Sequence, residues 1–229
     1  METSLHRQLK AIYAGEERAN EVRLAGFRID AVANGELIEV QLGSLAAIRN
    51  KIATLLEAKH TVRIVKPIIV RKQVTMLTDA GGTIVHSRKS PKQETLAELF
   101  HELVYFTKVF PHKRLILEVP QVSIEETRYP GHGKRRRWRK NDFVIADQSL
   151  VELFDGETLC TAADLLKLLP GKPPREFHTG ILAEKLGLRR WVAQRVAYCL
   201  RECGAAVEIG KAGNARLYRL KPARRRRAA

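Results

Sequence analysis

Two carboxylates, Asp30 and Glu39, stand on either side of the dipeptide Asn34-Gly35. Asn-Gly between two apolar runs signals a two-residue hairpin turn, because both central positions must take positive φ. Residues equidistant from such a turn pair with one another, which sets Asp30 opposite Glu39. Like charges facing each other are unfavourable and call for a cation between them. Two carboxylates suit Mg²⁺ or Mn²⁺, whose other ligands are water and phosphate oxygens. An ion held there activates water and stabilises the leaving oxygen in phosphodiester hydrolysis. Gln41 lies two residues beyond Glu39 and shares its face of the strand. The same acidic residues also suit the solvated face of an ordinary hairpin.

The elements that would position them follow from periodicity and turn signals. Residues 2–14 carry Leu5, Leu9, Ile12 and Tyr13 at helical spacing. Strands are predicted at 21–24, 26–33, 36–42 and 61–67, with a helix at 44–58 whose N-cap is Ser44. Its apolar face is Leu45, Ile48, Ile52, Leu55 and Leu56. The order is αβββαβ. Two further strands are predicted around Asp79-Ala80-Gly81-Gly82, then a helix over 94–107 and a strand over 114–126, where Pro120 marks an edge or a bulge.

With this order and these acids, residues 1–67 resemble the PD-(D/E)XK, or restriction-endonuclease-like, nuclease superfamily. Asp30 matches the first acidic position of its motif and Glu39 the second. The resemblance implies a restriction-endonuclease-like core with a mixed sheet, Mg²⁺ or Mn²⁺ as cofactor, and the Val40 backbone carbonyl beside Asp30 and Glu39 as a metal ligand. The lysine of the superfamily motif is Gln41 here. Uncharged, it would orient water or phosphate. Lys51 on the following helix is the candidate for the missing charge, and Glu2 in the first helix is a further candidate ligand. Read as residues alone, Glu2 and Lys51 also fit plain helix-surface charges, and His6 fits a surface or core-edge histidine.

After residue 148 the periodicity is mainly helical. Helices are predicted at 161–169, 179–186 and 189–203, followed by strands 205–209 and 215–220. Residues 150–221 therefore resemble a winged helix: three helices and a two-stranded wing. The third helix would read DNA, with Arg189, Arg190 and Gln194 toward the groove, and Lys211, Asn214 and Arg216 on the wing. Trp191 reads as core.

Charge points to the same class of partner. The chain carries 41 Lys plus Arg against 25 Asp plus Glu, a formal +16. Residues 1–127 are nearly neutral, with 18 basic and 15 acidic residues, whereas 128–140 hold seven basic and no acidic ones. Phosphates reward such an excess through counterion release. DNA is the expected partner, with RNA as the alternative; no membrane partner is expected, and a homodimer stays open. Lys134, Arg135, Arg136, Arg137, Trp138, Arg139 and Lys140 form a basic hinge that would follow a phosphate backbone, with a solvated linker as the alternative. Cys160, Cys199 and Cys203 lack metal-ligand spacing and read as reduced core residues of a cytoplasmic protein, nucleoid-associated in a prokaryote.

The expected organisation is α/β, with a nuclease-like domain over 1–127, the hinge over 128–149, a small α+β winged helix-turn-helix domain over 150–221 and a basic tail over 222–229. The expected function is a metal-dependent DNA endonuclease acting through Asp30, Glu39, Gln41 and Lys51. The alternative is a DNA-binding regulator or accessory protein whose nuclease-like domain is silent.

Overall fold

Asn34 and Gly35 take φ of 51° and 74°, the pair of positive values a type I′ turn requires. The computed structural model describes residues 2–15, 22–24, 26–131 and 142–222. It begins with α1 (Ser4–Ala14), capped by the Thr3 hydroxyl, which accepts the His6 N–H. There follow β1 (Val22–Leu24), β2 (Phe27–Ile29), β3 (Ala31–Ala33), β4 (Glu36–Val40), α2 (Leu45–Glu57) and β5 (Thr61–Val65). Ser44 caps α2 by accepting the Ala46 N–H.

The segment 26–33, predicted as one strand, is two. β2 pairs with β1, β3 pairs with β4, and Asp30 stands at the break with its carboxylate accepting the Val40 N–H. A short acidic side chain that takes a backbone donor competes with the ladder in this way. The β3–β4 register sets Ala31 against Ile38 and Ala33 against Glu36, as the turn demands.

Next come β6 (Ile68–Leu77), β7 (Ile84–Lys89), a 3-10 turn at Leu96–Leu99, the single-turn α3 (Phe100–Leu103), β8 (Leu115–Pro130) and β9 (Phe143–Leu159). The continuous helix predicted over 94–107 does not form. Val104, Tyr105, Phe106 and Thr107 are weak helix formers, and Phe106, Val109 and Phe110 are drawn into the core instead.

Seven described strands make one mixed sheet, in the order β3-β4-β5-β8-β6-β7, with β9 on the other edge of β8. β5 and β6 run parallel to β8 along a single edge, at 115–118 and 121–128 respectively. Pro120 thus lies in a central strand, not an edge strand. A bulge absorbs it: pairing with β9 skips from Val119 to Gln121. Gly156 crosses at this bulge, where a Cβ would collide with the Val119 carbonyl and Pro120.

One face of the sheet is covered by α1, whose Leu5 and Leu9 close a small core with Ile38, Val40, Val65 and Ile124. Ile12, placed on the apolar face by spacing, is 49% exposed. The other face is covered by α2 and the 96–110 segment, in a larger core that continues into the C-terminal part.

The sheet also moves the boundaries read from sequence. Residues 128–130 belong to β8 and 143–149 to β9, so both ends of the expected hinge are paired strand. β9 then continues to Leu159, where a helical region was expected from 150. Antiparallel pairing satisfies backbone groups that a free linker would leave to water. Lys134–Lys140, with Trp138, and Arg224–Arg227 lie outside the described residues.

A 3-10 helix (Ala162–Leu168) with a Thr161–Asp164 capping box opens the C-terminal part. It continues with β10 (Glu176–Phe177), α4 (Thr179–Leu186), α5 (Arg190–Glu202), β11 (Ala206–Ala212) and β12 (Ala215–Leu220). The strands form a three-stranded sheet, β10-β12-β11. The two-residue β10 is too short to show periodicity. All three cysteines are free thiols; Cys199 and Cys203 are buried and Cys160 is half-buried. Among the described residues no helix is long and apolar enough to cross a membrane.

Candidate active site at the β2–β3 break

The break after β2 and the C-terminal end of β4 open into a cleft of about 600 Å³. Glu2, His6, Arg28, Asp30, Glu39 and Gln41 are among its lining residues. Asp30 is held by the Val40 N–H at 2.8 Å. Glu39 is 8% exposed, and its Oε2 accepts from Lys51 Nζ at 2.6 Å. The ammonium also donates to the Arg28 carbonyl. Lys51 is therefore not a plain surface charge. The α2 helix, anchored by Leu45, Ile48 and Ile52, points it back at the strand carrying Glu39.

His6 is half-buried, as a core-edge histidine is, and also joins the site. Its Nε2–H donates to Asp30 Oδ2 at 3.3 Å and to the Val40 carbonyl at 3.1 Å. Its Nδ1–H donates to Glu2 Oε1 at 2.6 Å. The signal in the sequence was the Glu2–His6 pair, four apart on one helix face. What spacing could not show is that α1 lies across β4.

The titration behaviour follows from these contacts. The hydrogen bond to Asp30 is the main cause that lifts His6 to about 9, against burial and with help from Glu2. Burial pushes the Asp30 carboxyl up, but His6 and the Val40 N–H outweigh it and hold the group below its ordinary value. Burial pushes Glu39 up, and the Asp30 charge adds to it beyond what Lys51 offsets, so it stays above its ordinary value. The opposed carboxylates are thus compensated by two cations of the chain itself, His6 and Lys51, where sequence reasoning called for a metal. Among the described residues no group of three or more His, Cys, Asp or Glu side chains is arranged to hold a metal ion.

Gln41 shares the cleft, but its amide donates to the Ser44 carbonyl at 2.7 Å and folds over the loop into α2. That loop is braced from below by Lys66, a buried residue that sequence reasoning missed. Lys66 Nζ donates to the Gly43 carbonyl at 2.6 Å and pairs with Glu102 at 3.0 Å. The other Glu102 oxygen accepts the Leu45 N–H at 3.0 Å, a favourable place for an anion at a helix start.

In the C-terminal part, Arg190 and Gln194 of α5 meet Asn214 and Arg216 of the β11–β12 hairpin around a hollow of about 470 Å³. Arg189 is the N-cap of α5, and Lys211 is exposed on the hairpin. Arg201 is engaged by Glu202 and Glu208. Trp191, read as core, is 43% exposed.

A protein of Treponema pallidum (strain Nichols), described as an uncharacterized protein, is 30% identical to this chain over 223 residues, which cover 96% of the chain and 86% of the relative. No solved structure matches the chain. The family described as Domain of unknown function (DUF8091) matches residues 3–160, a span that holds every named cleft residue except Glu2 and ends just after β9, and the chain belongs to that family.

Proposed function

We propose that this chain is a metal-dependent DNA phosphodiesterase with a winged-helix DNA-binding module. The observation that carries the reading is the convergence of Asp30, Glu39 and the Val40 carbonyl on one open cleft, with Lys51 paired to Glu39. Two carboxylates and a carbonyl are the hard oxygen donors that Mg²⁺ or Mn²⁺ accepts while keeping places for water and phosphate. Two of them, Asp30 Oδ2 and the Val40 oxygen, already converge on a single positive point, the His6 Nε2–H. Asp30, Glu39 and the Val40 carbonyl would hold the ion, with Glu2 as the further candidate. When bound, it supplies Lewis acidity toward water and the scissile phosphate.

The chain's own groups do the rest. Lys51 keeps the Glu39 carboxylate oriented and brings positive charge to the cleft. His6 holds a proton at Nε2, directed at Asp30, and is itself oriented by Glu2. Gln41 would position phosphate or water after leaving Ser44. The order 3-10 helix, β10, α4, α5, β11, β12 suits a winged helix in which α5 enters the major groove and the hairpin grips the backbone. Arg190, Gln194, Asn214 and Arg216 would make those contacts, with Arg189 and Lys211 at the rim. Lys134–Lys140 would add affinity without sequence choice. Such an enzyme would work in the cytoplasm on nucleoid DNA, with structured RNA as the alternative polymer.

One observation favours a second reading, a DNA-binding regulator or accessory protein with a silent site: the Gln41 amide is engaged by Ser44. Plasmid and branched DNA incubated with Mg²⁺ or Mn²⁺ separate the two. Cleavage by the native chain, lost in Asp30→Ala and Glu39→Ala, is the expected result. Cleavage undiminished in both variants rejects the site, and binding without cleavage leaves the accessory protein.

A further inference from the structure

The side of α5 that packs along α3 carries rings and a cation that the hairpin-side hollow does not use. Trp191, Arg195 and Tyr198 are spaced i, i+4, i+7 and form one stripe. Trp191 is 43% and Tyr198 38% exposed, so both leave aromatic surface to solvent. Trp191 is stacked on His101 of α3, with ring centroids 4.3 Å apart and planes inclined by 22°. Arg195 contacts His101 and sets its guanidinium 5.1 Å from the centre of the Trp191 ring. No carboxylate pairs with Arg195 among the described residues. Below, the buried Cys199 and Cys203 thiols donate to the Phe100 and Phe110 carbonyls, which ties α5 to the 100–110 segment.

A ring held by its stack on His101, with Arg195 beside it and the Tyr198 ring further along the helix near Arg201, matches nucleobases flanked by phosphates. A duplex hides the faces of its bases; an unpaired strand offers them. We propose that the Trp191–Arg195–Tyr198 stripe, with His101, is a binding site for single-stranded DNA, set beside the duplex-facing side of the same helix. The substrate class is then a duplex that carries an adjoining unpaired strand. The inference rests on the nucleic-acid reading above for the identity of the polymer; the duplex part of the substrate class rests on the groove contacts, whereas the single-strand site rests neither on them nor on cleavage.

The test uses the full chain. Its two tryptophans are Trp138 and Trp191, so Trp138→Phe leaves Trp191 as the reporter. Saturation with an oligothymidylate of roughly 15 nucleotides quenches its emission through stacking, and a duplex of about 20 base pairs at saturation does not. In the native background, Trp191→Ala and Tyr198→Ala each weaken oligothymidylate binding about tenfold while Trp191→Phe retains it. Duplex affinity changes by less than about twofold, because stacking plays no part in phosphate contacts. Tyr198→Ala, at an exposed ring, stands in if Trp191→Ala fails to fold. Unquenched Trp191 at saturation, native oligothymidylate affinity in both alanine variants, or equal quenching by polyglutamate overturns the proposal. Loss of oligothymidylate binding matched by equal loss of duplex binding does so as well. Lack of duplex binding by the native chain, with the oligothymidylate results intact, removes the winged-helix reading and leaves this one standing.

Discussion

The His6 imidazole on α1 and the Asp30 carboxylate at the β2–β3 break are joined across 3.3 Å, and this contact ties the first helix to the candidate active site. His6 is lifted from 6.5 to about 9 in the folded chain, first by its hydrogen bond to Asp30. A raised histidine contributes stability that is complete below its unfolded value and is lost as pH rises through the folded one. The stability gap between native chain and His6→Ala is therefore expected to be widest near pH 6, on the order of 2–3 kcal/mol, and nearly closed by about pH 10. Thermal melts over that range check it. A gap that does not change with pH would show that His6 acts through packing alone.

Glu39 is expected to trade stability against function. Its carboxyl sits above its ordinary value because burial and the Asp30 charge oppose ionisation. Holding that carboxyl ionised costs the fold something, as groups kept for function commonly do. Glu39→Gln should melt no lower than the native chain at pH 7 while any nuclease activity falls by about 10²-fold or more. A clear loss of melting temperature would mean that the Lys51 pair is a net stabiliser.

Lys66→Met should be among the most damaging single changes outside the cleft. The substitution leaves Glu102 without its cation and the Gly43 carbonyl without its donor. Glu102 is only half-buried, so stranding it and leaving the Gly43 carbonyl unpaired costs on the order of 1–3 kcal/mol. Denaturant unfolding measures this directly. Lys66→Met paired with Glu102→Gln should recover part of the loss, because no charge is then stranded.

Lys211→Ala and Arg216→Ala, on the hairpin, are expected to weaken binding to duplex DNA uniformly across sequences. Each should lower the slope of log affinity against log salt by about 1, the contribution of one phosphate contact. Arg190→Ala and Gln194→Ala should instead change which duplexes are preferred. Titrations at several salt concentrations separate the two behaviours. Unchanged slopes in both hairpin variants would place the duplex elsewhere on the chain.

Much of the scaffold was legible because its signals are local. Asn34-Gly35 determines a turn and a register from two residues, and Ser44 with the apolar positions of α2 determines a capped helix. The predicted helix over 94–107 failed for the opposite reason. Its spacing is helical, but Phe106, Val109 and Phe110 are buried in the core that also holds the apolar residues of α5. In the 128–149 segment the apolar Phe143-Val144-Ile145 points to a strand near 142–146, but the extent of the pairing, across Gln148 and Glu126, depends on residues far apart.

From the sequence alone came the acidic pair, the turn that opposes its members, the basic excess and the helical C-terminal part. These depend on residue types and on separations of a few positions, which backbone geometry converts directly into faces and turns. Only the tertiary structure decided what surrounds the acids. It brought His6 to the Val40 carbonyl across 34 residues and Lys51 to Glu39 across 12, turned Gln41 toward Ser44 and left Trp191 at the surface. Such meetings are set by how α1, α2 and α5 pack on the sheet and its neighbours, and packing is chosen by the whole core at once.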